Sequence, residues 1–458
     1  MSTPPADWET LSVVPGVPWP ALPSEEGAKV LSLLLQFDQT QWLDAPSLQA
    51  LQLRQFDELL KHAWLTVPWY REHWQGVYDP GTSLDMASFR TLPVLSRSDV
   101  QTHGQALKST AMPAAHGAVT EVRSSGSTGM PVRVMKSQLM QLYWNAFTLR
   151  DHLWQKRDLR GKLVAIRHGV TEGESGNWGA ATEGLIATGP SAVARVGHDV
   201  DTLLDWLQAQ RADYLLTYPS LAAALASRAL ARGLSLPTLR QLRTFGEILD
   251  DETRRLCREA WDLGVADAYS AEEVGYIALQ CPEHEHYHVQ AEDVLVEVLD
   301  EAGGACAAGE VGRVVVTSLH NLAMPLVRYE LGDYAEVGAP CPCGRGLPVL
   351  KRVLGRVRNM LVTADGKRYW PTFALRDLVK AAPVSQAQFA QTAIDMVEAR
   401  LVTTSRLDTT QEDKLRRVIL SRLPDGFAVR LVYREQIARS TGGKFEDFVC
   451  EIAPRTGG

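Results

Sequence analysis

The sequence predicts a large α/β domain, a β-rich segment behind it, and a small α+β unit at the end of the chain. Three observations carry this. Short apolar runs alternate with helical periodicities through the middle of the sequence. From Val294 the pattern turns to residue-by-residue alternation around a glycine-rich turn. Beyond Gly355-Arg356, a strand, a helix and a second strand follow as a compact set.

Residues 1–45 are rich in proline and tryptophan and read as an irregular lead-in. Residues 47–65 read as an amphipathic helix, because Leu48, Leu51, Phe56, Leu59, Leu60 and Ala63 recur at helical spacing, and Pro68 ends it. Residues 119–122 and 132–135 read as strands flanking a tight loop. Residues 162–166 and 214–217 read as buried strands, and 221–232 and 251–263 as helices. Residues 294–299 and 311–317 read as a hairpin about Gly303-Gly304. In the final unit, 395–403 and 427–433 read as strands and 411–423 as a helix. The expected division is 1–354, with its β-rich part at about 276–354, and 355–458. The chain has no internal repeat.

Its 458 residues are enough for two to four domains, and 45% hydrophobic content is that of an ordinary globular chain. A net charge of −7 argues against general nucleic-acid binding. The start, MSTPPADWET, lacks the basic and apolar regions of a signal peptide, and no run of about 18 apolar residues predicts a membrane span. Six cysteines are too few for a disulfide scaffold. The expected compartment is the cytoplasm.

The segment Ser124-Ser125-Gly126-Ser127-Thr128-Gly129-Met130-Pro131 has the chemistry to hold an anionic group. Glycine lets the backbone approach, and hydroxyls and N–H groups donate. Taken alone, the same composition also describes a surface turn. Four later segments make it specific: Tyr269-Ser270-Ala271-Glu272-Glu273, Arg328-Tyr329-Glu330-Leu331-Gly332-Asp333, Gly355-Arg356, and Lys444 behind two glycines.

With these motifs in this order, the chain resembles the adenylate-forming acyl/aryl-CoA ligase superfamily, in its phenylacetate–CoA ligase-like branch. The resemblance runs from about residue 45 to 450. It includes His62 and Tyr70, the run Leu92-Pro93-Val94-Leu95-Ser96-Arg97, Thr217-Tyr218-Pro219-Ser220 and Gly246-Glu247. It implies ATP-dependent formation of an acyl adenylate from a small carboxylic acid, then transfer to a thiol, with CoA as the expected acceptor. Both reactants of the first step are anionic, so positioning and charge neutralisation must supply the catalysis. The resemblance assigns Ser124 to Gly129 to the β- and γ-phosphates, and Glu273 to Mg²⁺, a hard cation that prefers oxygen. Tyr269 and Ser270 would lie at the adenine, with Gly246-Glu247 bordering the same pocket. Asp333 would accept the ribose hydroxyls, with Arg328 in the same motif. Arg356 would stand at the domain junction, and Lys444 would bring a compact charge to the α-phosphate from a small mobile domain.

Two departures stand out. The hinge reads Gly355-Arg356-Val357-Arg358-Asn359 where the family often has Gly-Arg-x-Asp-Asp, which bears on the acceptor; an amine, a hydroxyl or a carrier-protein thiol is the alternative to CoA. Glu272 replaces the hydroxyl residue of many relatives and reads as solvent-facing. A non-catalytic nucleotide-binding protein would be expected to lack Lys444, Asp333 or Glu273, and all three are present.

Cys281 and His288, with Cys341 and Cys343, suit a closed tetrahedral Zn²⁺ site of structural type, and His284 or His286 could replace His288. The acid pocket is expected between Arg167-His168 and the region from Tyr218 to Tyr269, with Trp178, Tyr218 and Phe245 as candidate walls. Oligomeric state, monomer or homodimer, is left open by the sequence.

Overall fold

The computed structural model describes residues 9–124, 131–356, 359–371, 373, 375–439 and 444–452. Its centre is one twelve-stranded mixed sheet. Five strands in it are parallel: Ser191–Arg195, Leu163–Arg167, Tyr214–Thr217, Gln241–Phe245 and Val265–Ala271, in that spatial order. Strand Leu163–Arg167 comes first in the chain and sits between the next two, so the winding reverses beside it. The crevice at the carboxyl ends of such strands is where open α/β sheets bind ligands.

The β-rich segment continues this sheet. Gly275–Gln280 pairs antiparallel with Val265–Ala271, and strands Tyr287–Val289, Val349–Arg356, Tyr329–Val337, Val311–Ser318 and Val294–Leu299 follow outward. The expected hairpin is present, with Val294 opposite Ser318 and Leu299 opposite Arg313.

Helices cover both faces. On one side Val200–Gln210, Pro219–Arg232 and Asp251–Trp261 pack Leu203, Leu204, Leu225 and Leu256 against Val164, Ile166, Leu215 and Leu242. Helix Ala45–Thr66 packs Phe56, Leu59, Leu60 and Ala63 against Ile277, Val314 and Tyr329. Leu51, expected on that buried face, is 37% exposed. The helix carries more apolar positions than its contact stripe covers.

The lead-in expectation is corrected. Residues Glu25–Thr40 form a sixteen-residue helix. Ser24 Oγ caps it by accepting the Gly27 N–H at 3.0 Å, and Glu25 and Glu26 favour its first turn. Val30, Leu34 and Phe37 form its buried face against Ala146, Phe147 and Leu149 of helix Gln138–Trp154. That i, i+4, i+7 stripe was legible but overshadowed by the prolines before it.

The final unit holds a four-stranded sheet in the order Ala428–Tyr433, Met396–Thr403, Val384–Ala393, Phe448–Cys450. Helix Thr409–Leu420 packs Leu415 and Ile419 on it, with Phe389, Val397, Leu401 and Phe448 as its own core. Strands Val384–Ala393 and Phe448–Cys450 were not anticipated from sequence. Among the described residues, no helix is long and apolar enough to cross a membrane.

A candidate nucleotide and acid site at the strand ends

The candidate residues meet at the carboxyl end of Val265–Ala271. Tyr269, near the end of that strand, donates its hydroxyl to Asp333 Oδ2 at 2.9 Å. Asp333 lies opposite Arg356 in the antiparallel ladder, and Arg356 Nε donates to Asp333 Oδ1 at 3.2 Å. Burial and the Asp333 charge push the Tyr269 hydroxyl well above the ordinary phenol range, so it stays a donor. Ser270 follows it on the strand.

Glu273 sits in the turn into Gly275–Gln280 and is 4% exposed. Arg97 Nη1 donates to Glu273 Oε1 at 3.0 Å, and Arg97 Nη2 donates to Ser124 Oγ at 2.9 Å. Ser124 Oγ also accepts the Val132 N–H at 2.9 Å. Strands Val119–Arg123 and Arg133–Ser137 pair with Arg123 opposite Arg133, so they close the base of the loop between them. Ser125, Gly126, Ser127, Thr128 and Gly129 lie outside the described residues, as does Arg358 of the hinge. A buried Glu273 offering oxygen donors fits a hard cation such as Mg²⁺.

Lys444 comes in from the C-terminal unit. Its ammonium is influenced by Arg356, Asp333, Glu273 and Glu247 together; burial and Arg356 lower its pKa below the ordinary lysine value despite the three carboxylates. Gly246, at φ +77°, lets the chain turn here, and a methyl group on it would stand 3.4 Å from Lys444 Cε and 3.6 Å from the Tyr218 ring. Tyr218 and Phe245 have ring centroids 4.9 Å apart, and the Tyr218 hydroxyl accepts the His168 N–H at 3.3 Å. The two rings therefore pack against each other at the carboxyl ends of neighbouring parallel strands. His168 itself is exposed, as is Glu272.

Two sequence expectations change. Arg328 does not face the site: its guanidinium forks onto Glu297 at 3.0 and 3.1 Å and donates to the carbonyls of Arg90 and Leu92. The Leu95 N–H donates to the Arg328 carbonyl at 2.9 Å, so Arg328 anchors the segment that delivers Arg97. Trp178 donates its indole N–H to the Gly161 carbonyl at 3.0 Å, at the opposite end of Leu163–Arg167 from the crevice, and is no wall of it. Glu247, expected to border the nucleotide pocket, accepts from Ser220, Phe445 and Arg439. Arg97 was missed as a site residue. Its signal is a cation at the first position of helix Arg97–His103, where the helix dipole disfavours positive charge unless a partner holds it.

The cysteine–histidine cluster lies elsewhere on the sheet. Cys281 follows Gly275–Gln280, His288 is on Tyr287–Val289, and Cys341 to Cys343 precede Val349–Arg356. Cys281 Sγ and Cys341 Sγ are 3.8 Å apart, and Cys343 Sγ and His288 Nε2 are 3.4 Å apart. A tetrahedral zinc with bonds of about 2.0–2.3 Å needs ligand–ligand distances of about 3.4–3.8 Å, so the donors fit. His286 offers a further donor within 4.8 Å of Cys281, His288 and Cys341, and its Nε2 is buried without a hydrogen-bond partner.

No family model matches the chain. It is 26% identical over 393 residues to the phenylacetate-coenzyme A ligase of Pseudomonas putida, covering 81% of this chain and 82% of the relative. The phenylacetate-coenzyme A ligase of Thermus thermophilus is 26% identical over 346 residues, covering 72% and 75%. Among solved structures, 2-hydroxyisobutyryl-CoA ligase in its postadenylation state, in complex with R3-HIB-AMP, superposes with a TM-score of 0.70 at 20% identity, covering 90% of this chain and 92% of that one. Its open conformation, in complex with 2-HIB-AMP and CoA, gives 0.57. In sequence the chain is thus similar to phenylacetate-coenzyme A ligases over most of its length, and in fold to 2-hydroxyisobutyryl-CoA ligase.

Proposed function

We propose that the protein activates a small carboxylic acid with ATP and transfers the acyl group to CoA. The observation that carries this is the arrival of Lys444 among Arg356, Asp333 and Glu273, beside the packed rings of Tyr218 and Phe245. In the first step a carboxylate oxygen of the acid bonds to the α-phosphorus and pyrophosphate leaves. In the second the thiol sulfur bonds to the acyl carbon, AMP leaves, and the thiol proton passes to solvent.

The chain's residues would act as follows. Asp333 has about four lone-pair positions, and Tyr269 and Arg356 use two, leaving room for two ribose hydroxyls. Lys444 neutralises charge as the two anions meet. Arg97 and the loop from Ser124 hold the phosphates that depart. Glu273 would hold Mg²⁺, which supplies further charge neutralisation at the phosphates. Cys281, His288, Cys341 and Cys343 would hold Zn²⁺ as a closed structural site, apart from the chemistry.

The test is acid-dependent exchange of pyrophosphate into ATP, across aryl and aliphatic acids, followed by CoA addition. We expect exchange with at least one acid and a thioester once CoA is present. Lys444→Ala should lose exchange and keep ATP binding. Exchange with no acid in the panel would sink the proposal; exchange without thioester would move the acceptor to another nucleophile.

A further inference from the structure

Glu247 follows the left-handed Gly246, and its side chain is 6% exposed. Its carboxylate joins two distant parts of the chain. Oε2 accepts the Ser220 N–H at 2.9 Å. Oε1 accepts the Phe445 N–H at 2.6 Å and Arg439 Nη1 at 3.1 Å. The Arg439 guanidinium also lies over the rings of Tyr218 and Phe445, at 5.9 and 5.7 Å.

Ser220 is the second residue of helix Pro219–Arg232, whose cap residue, Tyr218, makes no side-chain capping bond. Glu247 therefore supplies from another loop the acceptor that this helix start lacks, with a charge suited to its dipole. Tyr218 stands at the strand-end crevice proposed to take the acid, and Phe445 directly follows Lys444. One carboxylate thus fixes the helix start beside the acid pocket with one oxygen and the lysine segment with the other.

We infer that Glu247 is a positioning residue that sets Lys444 against the acid pocket, and that it acts in adenylation alone. Its bonds to Phe445 and Arg439 exist only while the lysine segment is docked. If the C-terminal unit swings away for the second step, both break and the carboxylate returns to water. Stabilisation confined to one arrangement accelerates only the step that uses it. The catalytic part of this inference rests on the proposed adenylation; the docking part does not.

Two measurements on the full chain separate them. In the first, amide hydrogen exchange at Phe445 is compared between the native protein and Glu247→Ala and Glu247→Gln. The alanine variant should exchange about tenfold faster there, as expected for loss of a charge-assisted hydrogen bond, with the parallel strands unchanged. The glutamine variant, whose amide cannot accept with both ends, should fall between. In the second, the half-reactions are run apart. Pyrophosphate exchange should lose about a hundredfold in kcat with the KM for ATP within about twofold, while thioester formation from supplied acyl-AMP and CoA holds its rate. Unchanged Phe445 exchange overturns the docking. Equal loss in both half-reactions, or a raised KM with kcat intact, overturns the positioning role. If the native protein exchanges with no acid, the proposed function falls while the hydrogen-exchange result still decides the docking.

Discussion

Arg97 and Glu273 form a partly buried ion pair at 3.0 Å, with the second arm of the same guanidinium on Ser124 at 2.9 Å. One side chain therefore ties the proposed metal ligand to the base of the phosphate loop. Arg97→Ala should lower kcat/KM for ATP by about tenfold to a hundredfold, the size of one or two charge-assisted hydrogen bonds. Arg97→Lys should recover part of this, because an ammonium cannot reproduce the two-armed geometry. Steady-state kinetics with varied ATP check it.

Lys444 should give the free enzyme an alkaline limit below the ordinary lysine value. Burial and the Arg356 charge depress its pKa, so its proton, and the charge the reaction needs, is lost as pH rises through that lowered value. The pH profile of kcat/KM should fall on its alkaline side below about pH 10.5. Arg356→Gln should move that limb upward whatever it does to the rate. Lys444→Arg should flatten the limb, since a guanidinium does not titrate there.

Protein purified without chelator should carry about one zinc per chain. Cys281→Ser or Cys341→Ser should abolish metal content and lower the melting temperature, because structural zinc binding is folding free energy. His286→Ala should retain the metal if Cys343 is the fourth ligand. Metal analysis with thermal unfolding decides both points.

Asp151 should govern acid stability. Burial would raise its pKa, but Arg157 and Arg243, at 2.7 and 2.6 Å, outweigh that and hold it at about 2. Its contribution is present above its ordinary value and is lost as pH falls from about 4 to about 2. Asp151→Asn leaves two buried guanidinium groups without their shared anion, and should cost about 3–5 kcal/mol at neutral pH. Urea unfolding at pH 7, repeated down to pH 2, measures both effects.

Legibility followed the length scale of each signal. The strands at Tyr214–Thr217 and Val294–Leu299 and the helix Ala45–Thr66 were readable because local periodicity reports directly on burial. Lys444, Asp333, Glu273 and Tyr269 were readable as motif positions. Arg328 was misassigned because a motif reports that a residue is needed, not which neighbours it meets; its fork onto Glu297 spans 31 residues of chain. The contact of Glu247 with Phe445 was not legible either, since its partner is 198 residues away and nothing local signals it. The helix Glu25–Thr40 failed differently, through the weight given to prolines outside it.

Two strands connect the cysteine–histidine cluster to the candidate site. Gly275–Gln280 leads from the turn holding Glu273 to Cys281, and Val349–Arg356 starts against Cys341 and ends at Arg356. A six-residue strand spans about 20 Å, and both strands cross register irregularities on the way, at Tyr269/Ser270 and at Tyr334 to Val337 of their neighbours. A zinc held there as proposed would pin the far ends of both strands. Loss of that zinc to an oxidant or a chelator should then reach Glu273 and Arg356 through the strands as well as lower the melting temperature.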